Sequence, residues 1–145
     1  MIGLLQRVTQ AKVIIDGDTV ASINTGLLVL VGVEKNDSEK QAQRLFEKLI
    51  AYRVFPDDQD KMNLSLRDIN GDLLLVPQFT LAADTQKGLR PSFSNAAPPE
   101  SSKQLFEYLI DYARQQFDNI ETGVFGADMQ VSLNNDGPVT FWLQS

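Results

Sequence analysis

The stretch from Leu27 to Val33 constrains the fold of this chain more than any other. It reads Leu-Leu-Val-Leu-Val-Gly-Val and offers no polar side chain to either face of an extended backbone. A strand with this pattern has to be covered on both faces, so we predict a central, buried strand.

Shorter apolar runs predict the remaining strands, and turn residues such as Asp16-Gly17-Asp18 and Asn70-Gly71 separate several of them. The predicted strands are Ile2–Val8, Lys12–Ile15, Thr19–Ile23, Tyr52–Phe55, Asn63–Leu66, Asp72–Val76, Met129–Leu133 and Val139–Leu143. Apolar stripes predict two helices, one opened by a Ser38–Gln41 capping box and one starting at Pro98-Pro99.

These elements predict one α+β domain that spans residues 1–145. We expect a curved sheet or partial β-barrel of short, mainly antiparallel strands, with the two amphipathic helices packed outside.

Composition limits the chemistry that the chain can perform. Cysteine and histidine are both absent, which excludes disulfides, histidine-based catalytic triads and zinc sites built from Cys or His. Acid–base chemistry must then use carboxylates, Lys, Tyr, backbone groups or the substrate. We predict neither a metal nor a cofactor.

Charge and hydropathy limit the possible partners. The net charge of −6 disfavours a broad nucleic-acid surface but allows a small contact with one RNA end. No apolar run is long enough to cross a membrane, and the N-terminus does not resemble a signal peptide. We therefore expect a cytoplasmic protein.

The first stretch with candidate chemistry runs from Asn134 to Phe141 and contains Gly137-Pro138. It lies between two alternating apolar runs, so Asn, Asp, Gly and Pro predict a turn. A Gly-Pro bond can be cis, and the missing Cβ lets another molecule approach the Gly137 carbonyl. The residue types alone favour the simpler alternative, a hairpin turn on the surface.

The second stretch is Pro77-Gln78-Phe79-Thr80-Leu81. Pro77 cannot donate a hydrogen bond to a strand ladder, so the N–H groups of Phe79 and Thr80 could face a ligand and stabilise an oxyanion. Gln78 adds an amide and Thr80 a hydroxyl. The alternative is an ordinary strand end with a solvent-facing Thr.

Taken together, the two stretches resemble motifs of the bacterial D-aminoacyl-tRNA deacylases, also called D-tyrosyl-tRNA deacylases. The resemblance is specific because both motifs occur in order in a chain of matching length. It runs from end to end of the chain and includes Met1-Ile2, Gln6–Val8, Gly26–Glu34, Lys61–Leu64, Gln78–Thr85, Arg90–Phe93, Ala127–Leu133 and Asn135–Phe141.

The resemblance implies hydrolysis of the ester bond of D-aminoacyl-tRNA, with rejection of L-aminoacyl-tRNA by a cis Gly137-Pro138 backbone. Since glycine has no side chain to exclude, glycine mischarged on tRNA(Ala) should be released too. The resemblance also implies a homodimer with sites at the subunit interface, in which Gly137-Pro138 enters the partner's pocket.

Individual roles follow from the same resemblance. Arg7 is expected to hold the Gly-Pro motif, and Met129 to support the motif and the pocket. The residues expected to line the pocket near the scissile ester, and so to be catalytic, are Gln78, Phe79 and Thr80.

The chain departs from the family at Pro77, where a Ser is usual. This departure leaves Thr80 and the backbone amides as the candidates, with help from the 2′-hydroxyl of the terminal adenosine. Lys87 and Arg90 lie in a loop that either contacts phosphate near the acceptor end or is simply solvated. The alternative function is a non-enzymatic dimeric module that binds an RNA end or a small metabolite.

Overall fold

A computed structural model describes the whole chain, residues 1–145. The strands are β1 (Ile2–Ile15), β2 (Asp18–Ile23), β3 (Gly26–Gly32), β4 (Phe55–Pro56), β5 (Met62–Leu64), β6 (Asp72–Pro77), β7 (Ile120–Thr122) and β8 (Gln130–Gln144). The helices are α1 (Glu39–Ala51), α2 (Leu66–Ile69) and α3 (Pro99–Gln116), with a 3₁₀ helix at Phe79–Ala82. No helix is both long and apolar enough to cross a membrane.

The long strand β1 organises the sheet. It pairs antiparallel with β2, β3 and β8, whereas β3 pairs parallel with β6 and β6 parallel with β7. The strand order is β2-β1-β3-β6-β7 with β8 on β1, and β4 pairs only with β5. The predicted α+β class, a curved and mainly antiparallel sheet with helices outside, is confirmed.

The central strand β3 is buried on both faces, as its composition predicts. Leu27 and Val29 belong to the larger core between the sheet and helices α1 and α3. Leu28 belongs to a second cluster of eight buried residues on the opposite face of the sheet. Leu27, Leu28 and Val29 are all 0% exposed.

The strands predicted on either side of the Asn70-Gly71 turn do not pair with each other. β5 pairs with β4, and β6 lies between β3 and β7. The intervening residues form the single turn α2, because the Ser65 side chain accepts from the Asp68 N–H and Asn70 ends the turn with φ 48°. The Ser-x-x-Asp spacing is the sequence signal for this helix start.

Other strand boundaries also differ from the prediction. Ile2–Val8 and Lys12–Ile15 are parts of one strand, and the strand predicted at Tyr52–Phe55 is only Phe55–Pro56. The short strand β7 was not predicted. Both long helices start where expected, at Glu39 after Ser38 and at Pro99.

The segment around Gly137-Pro138 is not a hairpin turn. β8 continues in one direction and pairs with β1 on both sides of the segment, with Asn135 opposite Val8 and Thr140 opposite Gln6. Residues 136–139 therefore bulge out of β8 opposite a single residue of β1, Arg7. We call residues 136–139 the Gly-Pro excursion.

The capping carboxylate of α2 makes stability dependent on pH. Hydrogen bonds from the Ser65 hydroxyl and backbone N–H lower the pKa of Asp68 below its ordinary value. A lowered folded-state pKa stabilises the fold above the unfolded value of about 4, and this contribution is lost as pH falls through the folded value. Asp68→Asn should lower Tm at pH 7, and its difference from wild type should shrink below about pH 4.

Thermal unfolding of both proteins between pH 3 and pH 7 measures this difference. Asp58→Asn is the control, since Asp58 is an exposed aspartate of a nearby loop. A constant Tm difference across the range would contradict the assignment.

Candidate functional site

The end of β6 presents backbone donors to solvent. The Gln78 N–H donates to the Val31 carbonyl at 2.7 Å, and the 3₁₀ helix follows directly. Because Phe79 and Thr80 are its first two residues, their N–H groups have no acceptor within the helix. No turn or loop bond of the backbone uses them, and both residues are exposed. The site therefore has two adjacent backbone donors without a protein acceptor at the end of β6.

The 3₁₀ helix packs closely against Gly32 of β3. A Cβ atom on Gly32 would lie 2.9 Å from Leu81 Cβ and 3.3 Å from the Gln78 carbonyl oxygen. Only glycine therefore lets the donors lie so close to the sheet. In the sequence Gly32 is only one residue of an apolar strand, and no pattern within that strand signals this contact.

The Thr80 hydroxyl is oriented by Gln78. The Gln78 Nε2 group donates to Thr80 Oγ1 at 2.6 Å, which leaves the hydroxyl proton available for another acceptor. No carboxylate or amine of the chain is hydrogen-bonded to this hydroxyl, as the general base of a nucleophilic hydroxyl would be. The arrangement favours Thr80 as a hydrogen-bond donor.

Two exposed aromatic rings flank the donors. Phe79 is 57% and Phe93 42% exposed, and their ring centroids lie 5.2 Å apart. Reciprocal backbone bonds between Asp84 and Ser92 close the loop that carries Lys87 and Arg90. Neither cation takes part in a salt bridge.

Arg7 holds the Gly-Pro excursion. Its Nε donates to the Asp136 carbonyl at 2.9 Å and lies 3.2 Å from the Asp136 carboxylate. Its Nη1 donates to the Val54 carbonyl at 2.6 Å. The guanidinium side chain is 11% exposed, so a nearly buried cation fixes the first residue of the excursion.

Gly137 cannot be replaced without disturbing this arrangement. The Gly137-Pro138 bond is cis, and Gly137 has φ +142°, a conformation that residues with a Cβ rarely adopt. A Cβ would lie 2.6 Å from Val139 Cγ2 and 3.3 Å from Arg7 Nη2.

Met129 lies elsewhere in the molecule. Its sulfur accepts from the Val124 N–H at 3.3 Å. A Cβ on Gly123 would meet that sulfur at 2.9 Å and Pro77 Cδ at 3.3 Å. Met129 therefore lies near Pro77 at the end of β6, closer to the donors than to the excursion.

Within one chain, the donors and the excursion are far apart. The 3₁₀ helix rests on Gly32, which pairs with Ile2, whereas the excursion lies opposite Arg7. Arg7 is five steps along β1 from Ile2, which corresponds to roughly 17 Å at about 3.3 Å per residue. A single chain cannot bring both features onto one small ligand.

One surface hollow of the sheet coincides with neither feature. It measures about 200 Å³ and contains none of the predicted site residues. The lining residues come from β1, β2 and β8 and from Asn24, beside β2; they include Gln10, Lys12, Ser22, Ser132 and Asn134. No three acidic side chains cluster as a metal site would require.

The fold and the candidate site define a small curved-sheet protein whose candidate functional groups are mainly backbone atoms. The family model described as D-Tyr-tRNA(Tyr) deacylase matches residues 4–144. A D-aminoacyl-tRNA deacylase of Proteus mirabilis is 60% identical over 144 residues, which cover 99% of both chains. One of Nitrosococcus oceani is also 60% identical, over 99% of this chain and 93% of its own. The chain belongs to the D-Tyr-tRNA(Tyr) deacylase family.

Solved structures share the fold. A c-Myc DNA Unwinding Element Binding Protein is 36% identical with a TM-score of 0.96, covering 100% of this chain and 99% of its own. A probable eukaryotic D-amino acid tRNA deacylase is 15% identical with a TM-score of 0.85, covering 99% and 98%. The second likeness concerns the fold alone.

Gly32→Ala should displace the 3₁₀ helix and misplace its donors, because the added methyl group meets Leu81 Cβ rather than a flexible side-chain end. Displacements of this kind cost on the order of 10- to 100-fold in rate. Amide NMR shifts of Phe79–Leu81 and the rate of ester hydrolysis measure the effect.

Gly3→Ala is the matched control in the neighbouring strand. Its Cβ would meet the flexible end of Leu45 at 3.1 Å, so the same amides should keep their shifts. Unchanged shifts and rate in Gly32→Ala would show that Gly32 does not position the donors.

Proposed function

We propose that this protein hydrolyses the ester bond of D-aminoacyl-tRNA and releases a free D-amino acid and tRNA. The observation that carries the proposal is the full-length identity of 60% with relatives named D-aminoacyl-tRNA deacylase. The exposed N–H groups of Phe79 and Thr80 supply chemistry suited to that reaction, since acyl transfer needs donors for an oxyanion.

In the proposed reaction, water attacks the ester carbonyl carbon and the carbonyl oxygen becomes an oxyanion between the N–H groups of Phe79 and Thr80. The ester C–O bond then breaks, and the ribose oxygen leaves with a proton derived from the water. An aminoacyl ester is already activated, so this step needs less help than amide hydrolysis. Because the chain has no histidine, the vicinal 2′-hydroxyl of the terminal adenosine assists the water. The Thr80 hydroxyl, held by Gln78, donates a hydrogen bond.

Chiral selection in this proposal uses main chain rather than a side-chain pocket. The Gly137 carbonyl lies against the substrate Cα and leaves no room for an L side chain, whereas a D side chain points to solvent. A ten-thousandfold preference requires about 5.5 kcal/mol, which steric exclusion by a stiff wall can provide. Glycyl-tRNA, including glycine mischarged on tRNA(Ala), is then also a substrate.

The proposed site needs a second copy of the chain, since donors and excursion are roughly 17 Å apart in one chain. Trp142, Leu4 and Leu30 form a row on the sheet face away from the helices. Trp142 is 52% exposed, and neither Leu is fully buried. Along β1, the excursion lies on one side of this row, at Arg7, and the 3₁₀ helix on the other side, at Ile2. A two-fold axis through the row would therefore bring the excursion of each chain to the partner's donors.

The proposal also includes the acceptor end of tRNA as partner. The loop with Lys87 and Arg90 adjoins Phe93, and its unpaired cations suit phosphate contact; a solvated loop is the alternative. The relatives are bacterial proteins, and aminoacyl-tRNA is used in the bacterial cytoplasm, so we place the proposed activity there.

Purified protein should release amino acid from D-tyrosyl-tRNA and glycyl-tRNA and leave L-tyrosyl-tRNA intact. Thr80→Ala should retain partial activity, because Thr80 is a donor and not a nucleophile. A 2′-deoxy terminal adenosine should remove nearly all activity. Release of labelled amino acid is the measurement.

Distinct results would contradict distinct parts of this scheme. Binding of tRNA without release would favour the non-enzymatic module. Intact glycyl-tRNA would refute selection by exclusion alone, and complete loss in Thr80→Ala would point to a covalent route.

Trp142→Glu should separate the proposed dimer, because it places a charge in the apolar row. Sedimentation should show wild type at twice the 16.2 kDa chain mass and the variant as a monomer without selective hydrolysis. Val20→Glu is the control, since Val20 is similarly exposed at 45% but lies on β2, outside the row. A monomeric wild type with full selectivity would refute the shared site.

A further inference from the structure

The side chain of Asn135 joins the two ends of the Gly-Pro excursion, and we call the place where these ends meet its neck. Its Oδ1 accepts from the Val139 N–H at 2.6 Å. Its Nδ2 donates to Thr140 Oγ1 at 2.9 Å and to the Val139 carbonyl at 3.3 Å. The residue before the excursion is thereby joined to its last residue and to the first one after it.

This clamp requires an amide side chain. Asparagine offers an acceptor and two donor hydrogens on one planar group, whereas an aspartate in the same place could accept but not donate. The Nδ2 group also lies 3.4 Å from Gln6 Oε1, which ties the clamp to β1. Arg7 grips only the start of the excursion, at Asp136. Asn135 therefore provides the restraint at the other end.

We propose that Asn135 is a positioning residue for chiral selection, an inference that rests on the proposed function. It fixes the width of the neck and so keeps the Gly137 main chain from retreating. The Gly137 main chain excludes an L side chain only while it keeps its position. The donors of Phe79 and Thr80 lie on another part of the sheet, so loosening the neck affects selection and leaves the hydrolytic step in place.

The test compares kcat/KM for D- and L-tyrosyl-tRNA in Asn135→Ala and Asn135→Asp. Hydrolysis of the L ester should rise about tenfold or more while that of the D ester stays within about twofold. Asn134→Ala is the matched control, because Asn134 is the adjacent exposed asparagine and its side chain makes no hydrogen bond. The control should leave both rates unchanged.

A parallel fall of both rates, or an unchanged ratio in folded variants, would overturn the proposal. If Asn135→Ala does not fold, Asn135→Asp and Thr140→Val decide in its place. Thr140→Val removes only one acceptor of the clamp, so it should raise L hydrolysis less than Asn135→Asp. An unchanged ratio of L to D hydrolysis in both Asn135→Asp and Thr140→Val would also refute the proposal.

Hydrogen exchange at the Val139 amide tests the clamp without reference to activity. Its protection should fall in Asn135→Ala and persist in Asn135→Asp, which keeps the acceptor. If wild type hydrolyses neither ester, the proposed function fails, and this exchange measurement still decides whether Asn135 holds the neck. Equal protection in wild type and Asn135→Ala would refute the clamp.

Discussion

The antiparallel pairing of β1 with β8 is the constraint on which the other features depend. Ladder bonds on both sides of residues 136–139 hold the two strands in register. Because these residues face only one residue of β1, they must bulge out of the sheet. Arg7 lies opposite the excursion. Its Nε donates to the Asp136 carbonyl, and its Nη1 donates to the Val54 carbonyl, which follows α1 in the chain. A nearly buried guanidinium needs such partners. The excursion is consequently anchored to the sheet by these contacts.

The second candidate feature is also made by the sheet. β6 ends in a proline, Gln78 makes one last bond to β3, and the chain turns into a 3₁₀ helix seated on Gly32. Both features thus consist of backbone groups whose positions are set by strand register. In a chain without histidine or cysteine, this is a physically sound basis for acyl chemistry, because preorganised backbone dipoles stabilise charge without moving.

Local patterns predicted those parts of the fold that depend on local chemistry. The double-sided apolar run at Leu27–Val33 and the Ser38–Gln41 capping box appear as expected. The strand predicted to end at Val76 runs to Pro77, and Gln78 still donates to Val31. The failures concern pairing partners. Asn70-Gly71 predicts a hairpin by residue type, but Asn70 ends a helical turn and Asp72 enters a strand parallel to β3. Likewise, turn residues at Asn134–Pro138 cannot reveal that the flanking strands both pair with β1. The close packing of the 3₁₀ helix against Gly32 is a contact between different elements, and no pattern within one strand encodes it.

Placing the donors and the selecting wall on different chains has a physical consequence. In the proposed dimer, a lone chain would have open donors at Phe79 and Thr80 but no wall beside them. Such a chain would also have an open face at Trp142, and burying this face is what favours association. In that proposed dimer, the burial that favours association would also bring the Gly137 main chain to the donors and so couple hydrolysis to selection. A protein that met abundant L-aminoacyl-tRNA would need this coupling, because unselective donors would discharge the correct substrates of translation.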